Sequence, residues 1–109
     1  MTFDEFQKGT MRSINTILNR EQRIAMLCLG LTGEAGETVD HFKKHLFHAH
    51  SLDLQKVAKE FGDVLYYLSA LAETLGLSME QIAVENYQKL LKRYPDGFTA
   101  ERSINRSEL

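Results

Sequence analysis

The chain has a single proline, Pro95, and long stretches of it contain no cluster of turn-forming residues. Proline and turn clusters are what interrupt helices, so their scarcity predicts a chain that is nearly all helix. There is one cysteine, Cys28, which excludes an internal disulfide and fits a reducing, cytoplasmic setting. No uncharged apolar run is long enough to cross a membrane. The opening Met1-Thr2-Phe3-Asp4-Glu5 lacks the basic and apolar regions of a signal peptide. Positive charge is not in excess either: 13 basic residues stand against 15 acidic ones, a net charge of −2. That balance argues against a nucleic acid duplex as partner, but not against one small phosphorylated ligand held through a metal. The phosphate-cradling loop G-x-x-x-x-G-K-[ST] is missing, because no lysine follows Gly30, Gly33 or Gly36 at the required spacing. No nucleophile elbow or Ser/His/Asp order points to covalent catalysis.

With 109 residues, 43% of them apolar, the chain fits one globular domain over residues 1–109. Thr2-Phe3-Asp4-Glu5 has capping-box form and predicts a first helix with a loose stripe of Phe3, Phe6, Met11, Ile14 and Leu18. Asn19 and Gln22 open a second, long helix that runs to about His48. The polar stretch from His48 to Asp53 is a connection. A third helix follows, marked by Leu54, Val57, Phe61, Val64, Leu68 and Leu75, and stops at Gly76. Ser78 and Gln81 form another capping box, with Leu77 and Ile82 as its staple. The fourth helix ends before the turn sequence Tyr94-Pro95-Asp96-Gly97. Residues 99–109 read as a polar, loosely held tail. The fold class is therefore all-α, a compact four-helix, bundle-like domain. Apolar stripes left exposed on its long helices predict an oligomer.

Two acidic pairs stand out: Glu34-Ala35-Gly36-Glu37 and Glu60-Phe61-Gly62-Asp63. Carboxylates three apart on a helix are neighbours on one face and repel. Each pair also has glycine before its second acid, and each helical glycine costs about 1 kcal/mol relative to alanine. Gly30, Gly33, Gly36 and Gly62 together would cost roughly 4 kcal/mol in a domain stable by only about 5–15 kcal/mol. Choices that oppose the fold this strongly are expected at functional sites.

At about 100° per residue, Ile24, Leu27, Cys28, Leu31, Ala35 and Phe42 share the core side of the second helix. Val57, Phe61, Val64, Leu68, Ala72 and Leu75 do so on the third. Glu34, Glu37 and His41 lie on the shoulder of one stripe, and Glu60, Asp63 and Tyr67 on that of the other. If the helices pack antiparallel, both shoulders can line one crevice, though spacing does not show which shoulders meet. Two carboxylates about 4 Å apart repel by about 4 kcal/mol at an effective dielectric near 20, and a hard divalent cation relieves that. All-oxygen ligation favours Mg²⁺, or Mn²⁺ in its place, over zinc, and magnesium's preference for phosphate co-ligands points to a phosphorylated substrate.

On the fourth helix Asn86, Lys89 and Arg93 share a face. They read either as a solvated stripe or as donors to phosphate. His41, His45 and His48 share another face, followed by His50. Without a completing carboxylate or cysteine set they are read as solvent or subunit contacts before a zinc site. Cys28, inside the apolar stripe, is read as a buried small hydrophobe.

The array Glu34-x-x-Glu37, a spacer of 22 residues, then Glu60-x-x-Asp63 resembles the signature of the MazG-like all-α nucleoside triphosphate pyrophosphohydrolases. The words Gly30-Leu-Thr-Gly-Glu-Ala-Gly-Glu37, Glu60-Phe-Gly-Asp-Val-Leu-Tyr-Tyr67 and Lys92-Arg-Tyr-Pro-Asp-Gly-Phe98 are similar too, and the match covers about residues 24–98. The resemblance implies a helical bundle, a homodimer or homotetramer, in which Mg²⁺ bridges acidic side chains and a nucleoside triphosphate. It implies Glu34, Glu37, Glu60 and Asp63 as metal ligands, Asn86, Lys89 and Arg93 facing the phosphates, and Tyr67 lining the nucleotide pocket. The activity it implies is hydrolysis to the monophosphate and pyrophosphate, with Glu37 and Glu60 as candidates for the general base. One position departs from the pattern: many relatives carry glutamate just before the first motif acid, where this chain has Gly33. The number of metals and the identity of the base stay open at that point. The Gly-Glu-x-Gly-Glu form is similar to the branch containing dCTP pyrophosphatases. Related phosphoribosyl-ATP pyrophosphohydrolases, and a catalytically silent helical oligomer that binds nucleotide or protein, are the alternatives.

Overall fold

Asn19 starts the longest helix. Its side chain accepts from the Gln22 N–H at 2.9 Å, and Gln22 Oε1 accepts from the Asn19 N–H at 3.1 Å, so two otherwise orphaned donors are satisfied reciprocally. The computed structural model describes residues 1–106. Among them are α1 (Phe3–Gly9), α2 (Arg20–Phe47), α3 (Leu54–Leu75), α4 (Met79–Arg93) and α5 (Ala100–Ile104), with a 3-10 turn at Thr10–Ser13. Among these described residues no helix is long and apolar enough to cross a membrane.

Most helix ends follow their sequence signals. Thr2 and Glu5 complete a capping box on α1, but that helix ends at Gly9, so Met11 and Ile14 reach the core from the 3-10 turn and the following residue. The Asp53 carboxylate accepts from the Gln55 and Lys56 N–H groups at 3.0 and 3.3 Å and starts α3. Gly76 ends it at φ 74, a left-handed conformation that glycine adopts without a Cβ penalty. At α4 half of the expected box forms: Ser78 Oγ accepts from the Gln81 N–H, while the Gln81 amide turns to Glu85. The Tyr94–Gly97 turn closes with a 3.2 Å bond from the Gly97 N–H to the Tyr94 carbonyl. Beyond it the segment expected as a loose tail carries α5, capped by Thr99. Its last residues, 107–109, lie outside the described part of the chain.

α2 and α3 pack antiparallel along their length. Arg20 donates to the Thr74 carbonyl at one end, Gly30 faces Tyr67 in the middle, and His41 meets Glu60 toward the other end. Ile14, Leu27 and Ala70 are buried between them, with Met11, Met26, Tyr67 and Leu71 packed around. α1 lies on α3 and touches α4, whose main contact is with α1 and not with the α2–α3 pair.

The core is therefore narrower than the apolar periodicity implies. Cys28 is exposed, not buried, because its neighbour Leu27 takes the inward position with 0% exposure. On α3 the expected Val57 and Ala72 are buried, joined by the small Ser69 and Ala70, whereas Phe61, Leu68 and Leu75 are exposed. Phe61, Val64, Leu65 and Leu68 join Ala35 and Thr38 around an apolar groove of ≈ 400 Å³. Small inward residues let the two backbones approach closely, and Gly30 is the clearest case. A Cβ built there collides with the Tyr67 ring, whereas one on Gly33, Gly36 or Gly62 meets nothing within 4 Å.

These glycines predict opposite responses to the same substitution. Gly30→Ala should lower stability by about 1–3 kcal/mol through overpacking. Gly33→Ala should gain up to about 1 kcal/mol of helix propensity. Thermal or urea unfolding measures both, and equal responses would contradict the Gly30–Tyr67 contact.

Candidate metal centre

The antiparallel packing brings the acidic shoulders of α2 and α3 together. Glu34, Glu37 and Glu60 each offer a carboxylate oxygen, and the three oxygens lie within 4.8 Å of one another. Glu34 and Glu60 are half-buried and Glu37 is exposed. Asp63, exposed on the next turn of α3, is near enough for its charge to act on Glu34, although it stands outside that tight group. The crevice has the makings of a cation site: hard oxygen donors only, from two rigid helices, open to solvent on the Glu37 side.

Its electrostatics show how crowded it is. With Glu34 and Glu60 both ionised, the buried Oε2 atom of each has no hydrogen-bond partner. Glu34 responds by holding a proton. Its pKa is pushed up to about 7, first by the hydrogen bond it then makes to Glu60, next by desolvation, then by the charges of Glu37 and Asp63. Glu60 moves the other way, held ionised mainly by that same bond from Glu34, against the effect of burial, and further by His41. The His41 ring nitrogen sits 3.4 Å from Glu60 Oε1. The lysines on α2 do not help, since Lys43 and Lys44 both pair with Asp40 at 2.9 Å and hold its carboxyl down at about 2. Among the described residues no lysine pairs with the cluster. A shared proton is a partial remedy at neutral pH; a divalent cation would satisfy the buried oxygens and neutralise more charge. The donor set thus fits a hard metal ion.

The other candidates fall elsewhere. Tyr67 is half-buried over Gly30, packed against the core and edge-on to Tyr66 with ring centroids 5.2 Å apart. Asn86 and Lys89 line a groove on α4 together with Ile82, Glu85 and Gln88, and Arg93 is half-buried at the end of that helix. The histidine face does not assemble into a ligand group. His41 turns to Glu60, and His45 Nδ1 lies 2.8 Å from the His50 carbonyl. The His41–Glu60 contact was missed in the sequence, though its signal was present: His41 is one turn beyond Glu37, on the same shoulder.

Comparison with known proteins agrees with this geometry. The family profile of the MazG nucleotide pyrophosphohydrolase domain matches residues 22–98, and the chain belongs to that family. It is similar to the "Gene 37 protein" of Mycobacterium phage L5, 30% identical over an alignment that covers 76% of each chain. No solved structure matches.

The raised Glu34 pKa fixes the sign of a pH effect. Between its unfolded value, 4.5, and its folded value, about 7, the folded state holds a proton that the unfolded state has released. Stability of the metal-free protein then falls as pH rises through that window. Glu60, shifted downward, acts below 4.5 and leaves the window alone. The melting temperature without metal should fall from pH 5 to pH 8, and Glu34→Gln should flatten that slope. An unchanged slope in the variant would contradict the shared proton.

Proposed function

We propose that the protein hydrolyses a nucleoside or deoxynucleoside triphosphate to the monophosphate and pyrophosphate, with Mg²⁺ at the acidic crevice. The observation that carries this reading is the convergence of Glu34, Glu37 and Glu60 with two buried, unpartnered carboxylate oxygens. A repulsive arrangement of this kind is expected at a functional site, where a ligand completes it.

Glu34, Glu37, Glu60 and Asp63 would hold the metal, with Mn²⁺ able to replace it. A divalent cation there supplies positive charge against the triphosphate and makes water more acidic. Glu37, the exposed member, or Glu60, oriented by His41, accepts a proton as water attacks the α-phosphorus. The new phosphorus–oxygen bond forms as the bond to the bridging α,β-oxygen breaks, and pyrophosphate departs. Lys89 and Arg93, from this chain or from a second copy in the oligomer, would offset its charge, and Asn86 would donate to a phosphate oxygen. The absence of side chains at Gly33, Gly36 and Gly62 leaves the approach to the acids clear, and Tyr67 would line the nucleotide pocket. Positioning and charge neutralisation supply most of the rate, as elsewhere in phosphoryl chemistry.

The reading includes a homo-oligomer, a dimer or a tetramer. The chain exposes 8016 Å², where a folded monomer of 12.5 kDa exposes roughly 6,200 Å². Its radius of gyration is 17.2 Å, against about 13 Å for a compact domain of this length. The surplus of about 1,800 Å² per chain is of the size that an obligate interface removes. Exposed Phe61, Leu68, Tyr87 and Leu91 supply the apolar surface it needs.

Two outcomes are expected. Glu37→Gln or Asp63→Asn should cut Mg²⁺-dependent pyrophosphate release by at least about 10²-fold, on the scale of lost transition-state charge stabilisation, with helix content unchanged by circular dichroism. Turnover like wild type in either variant would remove that residue from the site. In light scattering at micromolar concentration the protein should have at least twice its 12.5 kDa chain mass; a monomer would contradict the oligomer.

A further inference from the structure

α4 is tied to α1 through its first turn. An isolated helix leaves its first N–H groups without partners, and here each of the first three has one. The Met79 N–H donates to Gln7 Oε1 at 2.8 Å, the Glu80 N–H to Asp4 Oδ1 at 3.2 Å, and the Gln81 N–H to Ser78 Oγ at 3.1 Å. Two of these acceptors belong to α1, more than seventy residues away. The Ser78 hydroxyl lies 2.9 and 3.1 Å from the two Asp4 carboxylate oxygens, to which it donates. The cap is reciprocal, because the Phe3 N–H at the start of α1 donates to Glu80 Oε1 at 2.8 Å. Two helix N-termini, each with a partial positive charge, meet through carboxylates that each helix offers the other.

Gln7 locks the junction. It is buried, and its amide nitrogen donates to the Leu77 carbonyl at 2.7 Å and to Glu73 Oε2 at 3.1 Å. The one side chain thereby ties α1 to the end of α3 and to the start of α4. Among the described residues, the packing of α4 on other helices is mainly with α1. Met79 is its buried residue, while Val84, Tyr87, Leu90 and Leu91 are exposed. Lys89 sits about 15 Å along the axis from the clasp, so a tilt of roughly 10° there would carry it about 2.5 Å.

We infer that Asp4 and Gln7 are positioning residues for the triphosphate: by fixing the first turn of α4 they set where Asn86, Lys89 and Arg93 meet its phosphates. The inference rests on the proposed phosphate-facing role of those three residues. It holds whether the acids they serve belong to the same chain or to a second copy, since the clasp aims the helix in either case. Neither clasp residue belongs to the acidic crevice, so losing one should weaken substrate binding without altering the metal ligands.

Steady-state kinetics of pyrophosphate release test this, using a triphosphate that the wild-type protein hydrolyses and scaling to folded protein. Asp4→Ala and Gln7→Ala should each raise KM about tenfold, with kcat within about twofold, the pattern of lost ground-state and transition-state binding together. Asp4→Asn, which keeps an acceptor oxygen for the Glu80 N–H, should restore most of the affinity. Lys89→Ala should raise KM in the wild-type background and add less to Asp4→Ala, because a misaimed lysine has less to lose. Ser78→Ala, which disturbs the clasp less, should raise KM by a smaller factor and serves if the other variants do not fold. A wild-type KM in Asp4→Ala, Gln7→Ala and Ser78→Ala, with Lys89→Ala still impaired, would overturn the clasp and leave the proposed function standing. A wild-type KM in Lys89→Ala would overturn the phosphate-facing role and the clasp with it.

Discussion

The approach of Glu34 to Glu60 across the α2–α3 interface is the constraint on which the rest of the structure turns. Two like charges are held together by packing a few turns away, where Gly30 admits the Tyr67 ring and Leu27 lies against Ala70. The interface resists the repulsion because it is made of close helix contacts that cannot spread without opening the core. The proton retained by Glu34 expresses that conflict in the metal-free chain. On the proposed reading, the same conflict gives the crevice its affinity for a cation.

Seen this way, the chain divides into a rigid part and a part that it leaves incomplete. α2, α3 and the 3-10 turn form a packed unit with the acids on one shoulder. α4 is tied to α1 by polar bonds at its first turn and is apolar along an exposed flank. The groove around Phe61 and Leu68 and the flank around Tyr87 and Leu91 are surfaces whose burial the chain alone does not achieve. An oligomer would cover them and finish the core that one copy leaves open.

Much of the fold was legible in local chemistry. The starts at Thr2, Asn19 and Ser78 and the stop at Gly76 all rest on caps that a short sequence window contains, whereas the Asp53 cap of α3 reads in sequence only as the end of a polar connection. The acidic crevice was legible in part: both pairs sit one shoulder away from their apolar stripes, so an antiparallel pair can bring them near, while which shoulders meet is set by the packing. The direction of each stripe was not legible. α3 is apolar on more than one side: periodicity placed Val57 and Ala72 correctly but also favoured large residues such as Phe61 and Leu68, whereas close packing between helices selects small ones such as Ser69 and Ala70. The same bias placed Cys28 inward beside Leu27, where the structure buries Leu27 alone of the two. The clasp at α4 was invisible for another reason: Asp4 and Gln7 meet Ser78 and Met79 only through the tertiary fold, and no local spacing encodes that.

Anomalous diffraction from crystals soaked in Mn²⁺ tests the central claim most directly. The account predicts a manganese peak in contact with carboxylate oxygens of Glu34, Glu37 and Glu60, with Glu34 turned from its neighbour toward the ion. An empty crevice at saturating metal, or a peak at the histidines near the α2–α3 connection in its place, would contradict it.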